Sequence, residues 1–309
     1  MEDRNRLLGW AALAFGGAFF LHAVEHAFRL SNILSAPHPA GLVVAECLTT
    51  FQFLVLILAS YFAVQAFFSQ SEDGNRSLRD VAALVVAAYG FGLLSAAFTA
   101  GVDFSEPNSH VYRIAVVLDG FFFAALMIAA FLATIGFSQR DRARRDYLLG
   151  WTGIAFMAAN LVALVAGVLR SEAYAGQHGL GTLNAGLNLG TSGYSAAAVA
   201  GAIAAVAFFD AAQAEGPAKG SLARRDLLLA AAAGAFAFFA VISFASEAIV
   251  AVANSDFGYS GAEAAPTWFA AVAALVSCAA AVCVIAALQP AFERALRRLR
   301  SAGLSDAPG

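Results

Sequence analysis

His22, Glu25 and His26 stand at i, i+3 and i+4, a spacing that places all three on one side of a helix. Glu46, Asp119 and Glu247 also fall inside long apolar stretches, at a similar distance from one end of each stretch. An ionisable side chain in hydrocarbon costs roughly 2.5–3.5 kcal/mol on insertion scales, so a layer of six requires either a function or partners. Two imidazoles one turn apart, joined by one or two carboxylates, form a ligand set for Zn, Fe, Mn or Cu. The same groups could instead take up and release protons beside a lipophilic redox partner such as a quinone, since histidine titrates near neutral pH. In a third reading Glu25, Glu46 and Asp119 pair with Arg29, Arg113 or Arg170 and only fix helix ends. The sequence leaves all three open.

The candidate metal set is His22, Glu25, His26, Glu46 and Asp119, with His110, His178 and Glu247 as further candidates. His110 and His178 lie in connections on the same side and could fold over the mouth of a cavity. His22 and His26 share a helix face, so they cannot take opposite sides of one iron, which disfavours a haem. Retinal is excluded as a cofactor: the one lysine, Lys219, lies outside every apolar stretch and offers no Schiff base within the membrane. Glycine-rich 172–195 contains no GxGxxG or GKS/T and follows no strand, so it reads as a lid or short re-entrant segment, not a nucleotide loop.

The elements that must position these groups follow from composition. The 309 residues are 61% hydrophobic and 13% charged, with mean hydropathy +0.73. These values describe an all-α integral membrane protein. Eight stretches reach the ~20 residues needed to cross a bilayer: 7–28, 41–68, 81–103, 114–137, 147–170, 190–212, 227–253 and 267–289. The first reads as a retained anchor, without a leader-like cleavage pattern. With Arg29 marking the outer boundary, His22 lies about 10 Å deep and His26 about 5 Å.

Of 18 lysines and arginines, only Arg29, Arg113 and Arg170 fall on the histidine side. The positive-inside rule therefore places both termini in the cytoplasm. Arginine-for-lysine and alanine bias indicate a GC-rich prokaryotic genome and hence a plasma membrane. The basic side suits anionic headgroups; nucleic acid is not an expected partner, because no recognition domain accompanies the arginines. The expected partners are the bilayer and either other membrane-complex subunits or further copies of the chain. Cys278 and Cys283, five apart in the last stretch, read as small packing residues.

Leu7-Leu8-Gly9-Trp10 returns as Leu148-Leu149-Gly150-Trp151, and the same offset relates Ala14-Phe15 to Ala155-Phe156, Arg29 to Arg170 and Phe67-Phe68 to Phe208-Phe209. Arg79-Asp80 and Arg225-Asp226 open the third and seventh stretches alike. We read two parallel-repeat four-helix units, 1–140 and 141–309. The counterparts of His22, Glu25 and His26 are Ala163, Ala166 and Gly167, so the first unit carries the cluster and the second is mainly scaffold.

Two four-helix units with a histidine near the outer side of the first helix resemble, in architecture alone, the quinone-handling membrane subunits of the polysulfide-reductase type. That resemblance implies a redox subunit with quinone as partner. The alternatives are a cation transporter or channel, a metal-dependent enzyme acting on a lipophilic substrate, and a structural subunit of a larger complex. The inner halves of the stretches offer no ionisable side chain beyond the phenols of Tyr89 and Tyr147, which argues against an ion path.

Overall fold

A computed structural model describes residues 2–34, 39–68, 76–100, 110–138, 144–174, 180–215, 220–255 and 264–305, all of them helical. The helices are α1 (Glu2–Leu34), α2 (Pro39–Phe68), α3 (Arg76–Ala100), α4 (His110–Ser138), α5 (Arg144–Tyr174), α6 (Leu180–Glu215), α7 (Gly220–Ser255) and α8 (Ala264–Ser305). All eight are long and apolar enough to span a membrane.

Each helix packs on its neighbours in chain order, and α8 returns to pack on α1. The result is a closed ring. Eight helices spaced 8–10 Å apart in a regular ring would hold their axes about 12 Å from the centre, so side chains must fill the middle or leave space. The seams are made by small residues: Ala18, Ala45, Ala66, Ala88, Ala207, Ala240 and Ala274 are fully buried. Alanine and glycine let helices approach closely, which is how apolar helices gain packing energy in lipid. At Gly201 a Cβ would meet the backbone of Ala237 at 2.7 Å, so α6 and α7 touch backbone to backbone. The seam between α1 and α8 is tight as well. A Cβ on Gly16 would lie 2.9 Å from Ala281, and the Cys278 thiol donates to the Gly16 carbonyl at 3.5 Å.

Each helix carries one exposed apolar stripe. On α1 it is Trp10, Leu13, Phe20 and Phe28; on α4 it is Ile114, Val117, Phe121, Ile128 and Phe131. The opposite face of α1 carries Phe15, Phe19, His22 and His26, at steps of four, three and four. Phenylalanines meet across the middle of the ring. Phe19 of α1 stands edge-on to Phe239 of α7 at 6.2 Å, Phe239 stacks on Phe236 at 6.0 Å, and Phe236 reaches Phe156 of α5 at 6.2 Å. Phe15, one turn nearer the arginine-rich end, packs on Phe19 at 4.8 Å yet remains 36% exposed, so the ring is less filled there.

At the arginine-rich end, α3, α5 and α7 repeat one local device, an arginine clasping the aspartate that follows it. The contacts are Arg79–Asp80 at 3.4 Å, Arg145–Asp146 at 3.3 Å and Arg225–Asp226 at 2.8 Å. Asp226 is 1% exposed, so its clasp neutralises a buried charge.

One expectation from sequence needs correction. Residues 180–195 are helical, not a lid or re-entrant segment: α6 begins at Leu180. Hydroxyls of Thr191, Ser192 and Ser195 donate to carbonyls of their own helix, and Gly193 lets α6 press on Ala159 and Val162 of α5. Small polar residues that satisfy themselves within a helix look like a loop in one dimension. The apolar span of the last helix, Thr267–Leu288, matches the expected stretch, and the helix continues past it through Pro290 to Ser305.

Candidate functional site

The three α1 residues form one hydrogen-bonded group. Glu25 is 3% exposed, which in an apolar bundle requires partners on both oxygens. It has them. Arg29 donates through Nε to Oε1, and His22 Nδ1 lies 2.9 Å from Oε2. The helix-end ion pair anticipated for Glu25 is thus present, and it holds the carboxylate while leaving the far side of the His22 ring available.

That far side faces the second histidine. His26 Nε2 lies 3.1 Å from His22 Nε2, with the rings 4.3 Å apart and nearly perpendicular. Glu25 selects the tautomer: an ionised carboxylate accepts, so Nδ1 of His22 carries the proton and Nε2 presents a lone pair. The remaining nitrogen, His26 Nδ1, is buried and has no hydrogen-bond partner among the described residues. Ligand atoms of His22, Glu25 and His26 all lie within 4.8 Å of one another, and no other such group of histidine, cysteine or acidic side chains occurs among the described residues.

Asp119 is not part of this group. On α4 it lies diametrically opposite the exposed apolar stripe, and yet it is exposed. Asp119 is thus exposed on the face of α4 turned away from the apolar stripe, with Ser95 of α3 as its polar neighbour. Ser95 itself donates to the Ala115 carbonyl at 3.1 Å, fixing α3 against α4 one turn from Asp119.

Glu247 shares the inward face of α7 with Phe236, three turns or about 16 Å further along. Heights within the ring can be compared through the inter-helix contacts. Phe19 meets Phe239; from that level His26 is about 10 Å along α1 and Glu247 about 12 Å along α7. Thr134 of α4 contacts the Gly150 carbonyl of α5 at 3.5 Å, which puts Asp119 about 13 Å above the level of Phe156. Glu247 stands about 16 Å above Phe236, the ring partner of Phe156. The histidine pair, Asp119 and Glu247 thus occupy one layer, within roughly a helical turn of one another. The side chains of Glu46 and His110, and His178 altogether, lie outside the described residues.

Sequence reasoning identified the α1 triplet from its spacing. It did not identify the phenylalanine cluster beneath it. The signal was available: Phe15 and Phe19 continue the His22/His26 face at the same three-and-four step, and Phe236 does so for Glu247.

No family model matches the chain, and no curated protein or solved structure is similar to it.

Proposed function

We propose that His22 and His26 hold a divalent first-row transition metal at the edge of a cavity inside the ring, above the phenylalanine cluster. One observation carries this reading: the two Nε2 atoms stand 3.1 Å apart, with Glu25 behind His22. Two imidazoles bound at 2.0–2.1 Å to one metal and separated by that chord subtend an angle of about 100° at the metal, close to tetrahedral or octahedral values. Glu25 supplies the carboxylate behind a ligating histidine that orients the ring and raises its basicity. Engaged by Arg29 and His22, Glu25 acts first as a positioning residue for the His22 ring.

The arginine-rich end is read as cytoplasmic and the histidine layer as lying in the outer half of a prokaryotic plasma membrane, by the asymmetry of basic residues. The ring is read as two four-helix halves of one duplication. Its support is that α1 (Glu2–Leu34) and α5 (Arg144–Tyr174) begin and end at nearly one constant offset, as do the starts of α2 (Pro39) and α6 (Leu180). A conducting pathway for cations fits less well, because Phe19, Phe156, Phe236 and Phe239 occupy the centre directly beneath the layer.

Elemental analysis of the purified protein tests the metal centre. About one equivalent of metal is expected in wild type and none in the His22→Ala plus His26→Ala variant; equal trace metal in both overturns it. A second reading draws on the continuous Arg29–Glu25–His22–His26 hydrogen-bond chain, which would suit proton exchange with a quinone at the cavity. It predicts quinone-dependent redox activity in metal-free protein, lost in His22→Ala.

A further inference from the structure

We propose that Glu247 of α7 is the carboxylate ligand of this metal, so that the ion ties α1 to α7 across the ring; the proposal rests on the metal reading above. Four observations bear on it. Phe19 and Phe239 bring the inward faces of α1 and α7 into direct contact, although these helices are not neighbours in the ring. From that contact His26 and Glu247 rise about 10 and 12 Å on their respective helices, so they end at one height. Glu247 lies on the face of α7 that carries Phe236, about 80° round the helix from Phe239, and His26 on the face of α1 that carries Phe15, so both groups are turned to the interior of the ring and not directly at each other. Finally, Glu25 is paired with Arg29 and His22, so its negative charge is already balanced by the guanidinium and a second carboxylate is needed to offset a cation.

A metal bound by two imidazoles alone keeps its full double charge in apolar surroundings, where an uncompensated charge is costly. One carboxylate from α7 halves it. Two histidines and one carboxylate also leave one tetrahedral position, or three octahedral ones, for water or substrate. That is the ligand count of a reactive centre, not of a closed structural site. The carboxylate of Glu247 lies outside the 4.8 Å group, so ligation requires its side chain to swing toward the histidines when the metal arrives.

The probe is Co(II), whose visible absorption reports ligand number, titrated into wild type, Glu247→Gln and His22→Ala plus His26→Ala. The expected result is a visible band for wild type, at least a tenfold loss of affinity with an altered band for Glu247→Gln, and no band for the histidine variant. An unchanged band and affinity in Glu247→Gln, with binding still abolished by the histidine variant, overturns the role of Glu247 and leaves the metal centre standing. Wild-type binding by the histidine variant overturns both. A geometric measurement guards against misfolding of Glu247→Gln: His26→Cys with Glu247→Cys, in a chain whose Cys47, Cys278 and Cys283 are replaced by serine. Cd(II) is expected to protect this pair from a maleimide at micromolar concentration; no protection overturns the proposed juxtaposition.

Discussion

Replacing Glu25 by glutamine keeps the size of the side chain and removes its charge. The carboxylate now accepts from His22 Nδ1 at 2.9 Å and from Arg29. A glutamine amide has one acceptor oxygen, so one of these donors loses its partner. The other face of the amide would present N–H groups to a ring nitrogen that already carries a proton. If His22 turns over to its other tautomer to relieve that clash, its Nε2 becomes protonated and cannot bind metal. Disturbing the partner behind a metal-bound histidine typically weakens binding 10- to 100-fold. That corresponds to about 1.4–2.7 kcal/mol. The measurement is competition against a chromophoric chelator, comparing dissociation constants of wild type and variant in one detergent. A change below threefold, in protein that still loses all metal with His22→Ala, would refute the orienting role of Glu25. The helical content should not change, because Arg29 is 34% exposed at its side chain and can turn its charge toward water.

Three further outcomes follow from the same geometry. His22→Ala alone should lower metal affinity more than His26→Ala alone. Only His22 has a carboxylate behind it, whereas His26 Nδ1 has no acceptor among the described residues; the same chelator competition ranks them. Asp119→Cys should react with a charged, membrane-impermeant thiol reagent in intact cells or sealed vesicles, because Asp119 is exposed on the face of α4 opposite its apolar stripe; labelling only by lipid-soluble reagents would contradict water access to that face. Gly201→Ala should lower the melting temperature in detergent. The added methyl would sit 2.7 Å from the Ala237 nitrogen and 2.9 Å from its Cα, forcing α6 from α7 at a cost of roughly 1–3 kcal/mol. An unchanged melting temperature would mean the two backbones are not in contact.

Much of the bundle was legible because a bilayer imposes a length and a polarity on each helix. Eight stretches of the right size could be read directly, and their register put His22, Glu25, His26, Asp119 and Glu247 at one depth. Glycine-rich 180–195 misled, because its small polar residues satisfy themselves within the helix and pack against α5. Which helices touch was not legible, since alanine seams look alike; ring closure through Gly16, Cys278 and Ala281 needed coordinates. Nor could spacing alone reveal that Glu25 spends both oxygens on Arg29 and His22, because a carboxylate at i+3 is equally placed to bind a metal itself. The division of labour among the three residues depends on rotamers.

The most direct measurement is X-ray absorption at the metal edge of protein purified with its bound ion. Two imidazole nitrogens at about 2.0–2.1 Å, with the multiple scattering of their rings and one oxygen from a carboxylate, are the expected first shell. A shell of oxygens alone, or of sulfur, would contradict a centre built on His22 and His26.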